Sequence, residues 1–185
     1  MLDAFANQLK SSLGIESLTD YFLIDERKVK WLNYRLEILF EQHEGQAFVR
    51  FRVTNFTGSG NNGRRRKAYP WPVADPANPV EIVQITRAIL AANAPEAEVI
   101  DPRSRFGRFF DRLCGVTRIN TMPEIARCVA FGREEFFTAR IDEDSRGRIV
   151  TIMIERGKGR APFWFRLPIE TVQVLHDRFA PHVQE

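Results

Sequence analysis

Cysteine is scarce, with only Cys114 and Cys128 in 185 residues. Two are too few for a disulfide scaffold, and no His or Cys pair near them has the spacing of zinc ligands. Long apolar runs are absent as well. None approaches the ~20 residues that a membrane-spanning helix needs. The first residues lack the basic start, apolar centre and small-residue cleavage site of a secretory leader. The composition of a disordered chain is absent too, since that needs few aromatics and low hydrophobicity, and here 15 Phe stand among 44% hydrophobic residues. These absences lead to the expectation of an ordered, soluble, intracellular protein with neither metal nor cofactor. A chain of this length can bury one shared core.

Lysine is the next shortage. Of 27 basic residues 22 are Arg and 5 are Lys, and the formal net charge is a modest +3. The excess is concentrated. Residues 61–160 hold 18 Lys/Arg against 13 Asp/Glu, whereas 1–60 hold 7 against 8. Guanidinium groups fork onto phosphates and stack on bases, which suits nucleic acid. A codon preference for Arg produces the same count, so charge alone does not decide.

Leu2, Phe5, Leu9 and Leu13, closed by Gly14, predict an amphipathic helix within an N-terminal segment 1–20. From Tyr21 the period changes to two. Leu36, Ile38 and Phe40 alternate with Arg35, Glu37 and Glu41, and Val49, Phe51 and Val53 alternate with Arg50, Arg52 and Thr54. Residues 57–63 hold three Gly and two Asn and predict a loop, and the cations Arg64, Arg65, Arg66 and Lys67 extend it towards Tyr69 and Trp71. Ile82, Ile85 and Ile89 mark a helix after Pro79. Residues 95–122 read as a connector with a short helix, in which Phe106, Phe109, Phe110 and Leu113 form a packing face. Strands resume at Ile125–Phe131, Phe136–Asp142 and Ile149–Glu155. After a basic turn at Lys158 and Arg160, Phe163–Arg166 predicts a short strand and Ile169, Val172, Leu175 and Phe179 a last helix.

The two halves therefore repeat one order of parts, over residues 21–94 and 123–185. Gly45 and Gly147 are 102 positions apart but Pro79 and Pro168 only 89, so the first copy is about 13 residues longer between turn and helix. The expected fold is α+β, with two β-β-β-β-α repeats packed pseudo-symmetrically and an extra N-terminal helix. One helix covers one face of each sheet, so pairing two units supplies the shared core.

The stretch from Glu135-Phe136-Phe137 through Asp142-Glu143-Asp144-Ser145-Arg146-Gly147-Arg148-Ile149-Val150 resembles the core of a PUR repeat: a strand, an acidic turn ending in Arg-Gly-Arg and a returning strand. The likeness covers roughly the last 50 residues, and residues 21–93 only by their order of elements. PUR repeats, Whirly proteins and kinetoplastid guide-RNA-binding proteins share paired β-β-β-β-α units that bind single-stranded nucleic acid. The first copy departs from that pattern, with Glu44-Gly45-Gln46 at its turn, and Thr151 stands where PUR repeats usually carry a basic residue. The connector is longer than a PUR linker.

The resemblance implies a non-enzymatic binder of single-stranded DNA or RNA, sited in the cytoplasm, nucleoid or an organelle matrix and open to homo-oligomeric assembly. Its site residues would be Arg50, Arg52, Arg64, Arg65, Arg66, Lys67, Tyr69 and Trp71 in the first copy. The second would supply Arg140, Arg146, Arg148, Lys158, Arg160 and Trp164. Cations hold the strand's phosphates while unpaired bases stack on aromatic rings. Whether Trp164 or its neighbours Phe163 and Phe165 face the core is left open by the alternation. Two rivals stand beside this reading. One is a protein-interaction module that kept the fold without the ligand. The other is a metal-dependent nuclease built on Asp142, Asp144 and Glu155 with Lys158, a loose spacing for carboxylates that must converge on a cation.

Overall fold

The computed structural model describes residues 22–29, 32–43, 46–57, 64–73, 80–130, 133–145, 147–155 and 162–183. The predicted N-terminal helix lies outside them. The fold is α+β, with two antiparallel four-stranded sheets, each in simple sequential strand order. The chain divides into two compact units, one of Met1–Gln84 with Val174–Glu185 and one of Ile85–Gln173.

In the first unit β1 (Phe22–Val29), β2 (Leu32–His43), β3 (Gln46–Thr57) and β4 (Arg64–Val73) form the sheet. The alternation read from the sequence is the observed burial over residues 34–38 and 50–53, whereas Thr54, expected on the polar face, is buried. Tyr34, Leu36, Ile38, Phe51 and Val53 are buried, while Arg35, Glu37, Arg50 and Arg52 are partly exposed. A register shift between Leu23 and Asp25 interrupts β1, and Ile24 at the shift is buried.

The cationic run differs from expectation. Arg64–Lys67 are not a loop but the first residues of β4, paired with Phe56, Asn55, Thr54 and Val53. The same register sets Tyr69 opposite the buried Phe51 and Trp71 opposite Val49. The side chains of Arg64, Arg65, Arg66, Lys67, Tyr69 and Trp71 lie outside the described residues.

Helix α1 (Val80–Ala92) buries Ile82, Val83, Ile85 and Ile89, and Glu81 in its first turn suits the positive end of the helix. The second unit's sheet contains β5 (Thr117–Ala130), β6 (Arg133–Asp144), β7 (Gly147–Glu155) and β8 (Phe163–Pro168). Phe137, Ala139, Ile141, Val150, Ile152, Ile154, Phe165 and Leu167 are buried on one face. Gly147, at φ 105°, closes the β6–β7 hairpin in backbone geometry that L side chains rarely adopt. Helix α3 (Ile169–Phe179) buries Val172, Leu175 and Phe179, and Pro181 lies in the short 3-10 turn that follows.

The connector is shorter than the sequence implied, because β5 starts at Thr117. Two register shifts, between Arg118 and Asn120 and between Met122 and Ala126, break its alternation, and Pro123 lies in the second. Helix α2 (Arg105–Leu113) is capped at its start by Ser104 Oγ, which accepts from Gly107 N. At its end Gly115 (φ 67°) allows the paired bonds Gly115 N to Arg112 O and Val116 N to Asp111 O. The expected packing role of this helix is overturned. None of its residues is buried, and Phe106, Phe109, Phe110 and Leu113 are between 54% and 70% exposed. Replacing Phe106 and Phe109 by Ser is therefore expected to change stability by no more than about 0.5 kcal/mol each, checked by urea unfolding.

Candidate nucleic-acid interface

The antiparallel register arranges the polar face of the second sheet into transverse rows, because paired residues share a face. Arg118, Asp142 and Ile149 make one row. Thr121, Arg140, Thr151 and Arg166 make the next, and Thr138, Met153 and Trp164 a third. Rows two residues apart along a strand are separated by roughly 7 Å. Residues of the second and third rows, with Arg118, Met122 and Glu155, line a concavity of about 500 Å³. That volume lies in the range of small-ligand sites.

Trp164 is 46% exposed whereas Phe165 is buried, which answers the question that alternation left open. The Arg166 guanidinium lies 5.7 Å from the Trp164 ring centre, a cation–π distance. Arg118 is committed to structure. Its side chain is 7% exposed, donates to Asp142 Oδ1 and donates to Thr121 Oγ1 at 3.2 Å. Arg140 Nε also lies 3.2 Å from Asp142 Oδ2. Two guanidiniums thus share one buried carboxylate, and Arg166 is close enough to Arg140 to repel it. Burial pushes the Arg140 pKa down; Asp142 opposes that shift, and Arg118 and Arg166 add to it. Arg keeps its proton in proteins, so the shift expresses a charge the site holds at some cost.

Two buried polar atoms here, Arg166 Nε and Thr151 Oγ1, lack any hydrogen-bond partner among the described residues, and Arg140 Nε has only its ion pair with Asp142. Thr151 is 7% exposed and lies in the register between the two arginines. Neither Thr151 nor Arg166 figures among the sequence-derived site residues.

Other expected site residues have different surroundings. Arg52 forms a two-pronged pair with Glu37, at 2.6 and 2.8 Å, and Arg50 is partly buried and engaged. With Arg35 paired to Glu26 at 3.0 Å, described charges on the first sheet are largely compensated. Arg148 donates to Asn93 Oδ1 at 3.0 Å and lies 3.8 Å from Glu143, so it anchors the segment after α1. Arg146, Lys158 and Arg160 lie outside the described residues.

Of the nuclease constellation, Lys158 lies outside the described residues. Asp142 and Asp144 are the end of β6, not a turn, and Asp142 is held by Arg118 and Arg140. Among the described residues no three His, Cys, Asp or Glu side chains gather as a metal site. Nor is any described helix long and apolar enough to cross a membrane.

Sequence reasoning also missed what holds the connector in place. Asn120 is 3% exposed and meets four backbone groups. Its Nδ2 donates to Ala92 O at 3.1 Å and Glu98 O at 2.9 Å, and its Oδ1 accepts from Ile100 N at 3.0 Å and Thr121 N at 2.8 Å. Arg103 then clamps Asp101 at 2.7 Å and also donates to Asp111 of α2. Hydrogen bonding from Arg103 holds the Asp101 carboxyl at about 2, below its ordinary 3.8. A carboxyl with a lowered pKa stabilises the fold fully above its ordinary value and loses that contribution as pH falls through the lowered one. Amide protection around Arg103, corrected for intrinsic exchange, is accordingly expected to fall between those two pH values. In Arg103→Gln it should be low throughout.

No protein-family model matches the chain, and a comparison with curated proteins finds no match.

Proposed function

We propose that the chain is a non-enzymatic single-strand nucleic-acid-binding protein whose two β-β-β-β-α units are related pseudo-symmetrically. The ligand lies across the polar face of the second sheet. The observation that carries this reading is the exposed Trp164 one row from Arg140 and Arg166, in an open concavity. An unpaired base stacks on the indole while the guanidiniums hold the adjoining phosphate. Duplex hides its bases from such a ring, so the surface suits splayed strands. The reading places the protein in an intracellular compartment that holds single strands, as DNA or RNA.

Filter binding of a single-stranded oligonucleotide and its duplex, at two salt concentrations, tests this. The single strand is expected to bind more tightly and to weaken as salt rises. Equal, salt-independent binding of both would defeat the reading. A second reading, an interaction module, has one observation in its favour: the uncovered Phe106, Phe109, Phe110 and Leu113 face of α2. It predicts no oligonucleotide binding at either salt concentration.

A further inference from the structure

Most of the polar face just described is internally satisfied, which makes its exceptions informative. Arg118 has Asp142 and Thr121, and Asp142 has two guanidiniums. One row does not close on itself. Thr151 brings a buried hydroxyl that has no described partner, between Arg166, whose Nε has none, and Arg140, whose Nε has only its ion pair with Asp142. An unmatched buried polar group is costly, so two in one row beside a half-matched guanidinium call for a shared partner. The missing partner must be an acceptor, since guanidinium nitrogens only donate and a hydroxyl donates or accepts. It must also be anionic, because two cations converge with only a part-share in Asp142 between them. A tetrahedral oxyanion offers several acceptor oxygens to groups arriving from β6, β7 and β8 at once. The neighbouring row fixes what is attached to it. Met153 and Trp164 lie roughly 7 Å along the strands, a gap that a sugar bridges between a base and its phosphate.

We infer that Arg140, Thr151 and Arg166 form a subsite for a single phosphate group, whose attached nucleoside rests against Trp164 and Met153. The site thus takes one nucleotide as a discrete unit; the inference rests on the nucleic-acid reading for its ligand class and on the unmatched polar row for its position. A free mononucleotide and one link of a strand carry the same chemistry. The two sources differ in rank order: if strands are the ligand, an oligonucleotide binds more tightly than the mononucleotide and is displaced by it.

Isothermal titration calorimetry with adenosine 5′-monophosphate, adenosine and inorganic phosphate tests the subsite. The monophosphate is expected to bind, adenosine to bind at least about tenfold more weakly, and phosphate to compete with the monophosphate. Losing one hydrogen bond to a charged group is worth about tenfold or more. Thr151→Val should therefore weaken the monophosphate by about that factor without changing adenosine, and Thr151→Ser should restore it. Thr151→Ser also keeps the test valid should the valine variant fold poorly. Equal binding of adenosine and its monophosphate, or no binding of either, would overturn the subsite, as would wild-type affinity in a folded Thr151→Val. The two proposals fail separately. Oligonucleotide binding that ignores Thr151 sinks the subsite alone. Monophosphate binding that depends on Thr151, with no oligonucleotide binding, sinks the single-strand reading alone.

Discussion

Changing Arg140 and Arg166 together to Gln is expected to weaken single-strand binding about 100-fold, since hydrogen bonds to charged groups contribute about 1.5–3 kcal/mol each. Both side chains reach the concavity, and neither anchors the fold as Arg118 does through its bonds to Asp142 and Thr121. The log–log salt slope should flatten by about 0.7, the value for one lost phosphate contact on a single strand, because both guanidiniums hold the same phosphate. Stability should hold or rise slightly, because the mutual repulsion of the guanidiniums is relieved. A fluorescence anisotropy titration across salt concentrations reads both quantities. Arg148→Gln is the matched control. It removes a cation of the same sheet whose guanidinium is spent on Asn93, and it should leave the slope nearly unchanged.

The second large effect concerns stability. Asn120→Ala strands the Ala92 and Glu98 carbonyls and the Ile100 and Thr121 amides that one side chain now satisfies. Leaving buried groups unmatched costs about 1–3 kcal/mol for each that water cannot reach. The expected loss is about 3 kcal/mol in urea unfolding, with faster amide exchange over residues 93–100. Asn120→Asp tests the geometry further: it keeps the acceptor and loses both donations, and it should cost a comparable amount.

What the sequence disclosed and what it hid have physical reasons. Strands β2, β3 and β6 were legible because each buries mainly one face, so Ala139 and Ile141 alternate with Thr138 and Arg140, while β7, buried on both faces at its middle, was legible as a run of β-branched residues. Strand β4 was misread at its start, since four successive cations erase any alternation and follow a Gly/Asn-rich stretch. The first part of β5 was hidden by two register shifts around Asn120 and Pro123. Spacing correctly placed Phe106, Phe109, Phe110 and Leu113 on one side of a helix, but a period cannot say whether anything covers that side. Asn120 left no signal at all, because one polar residue in a strand looks the same whether it is solvated or holds four backbone groups. Thr151 did leave one. It interrupts the apolar run Ile149–Ile154 on the face of Arg140 and Arg166, and only the register shows that the three share a row.

The most direct measurement is ultraviolet cross-linking of a radiolabelled single-stranded oligonucleotide, followed by mapping of the tryptic adducts. The Trp164 ring against a base predicts an adduct on the tryptic peptide 161–166, displaced by unlabelled single strand and not by duplex. No adduct on that peptide, or one displaced equally well by duplex, would contradict single-strand binding on the face of the second sheet.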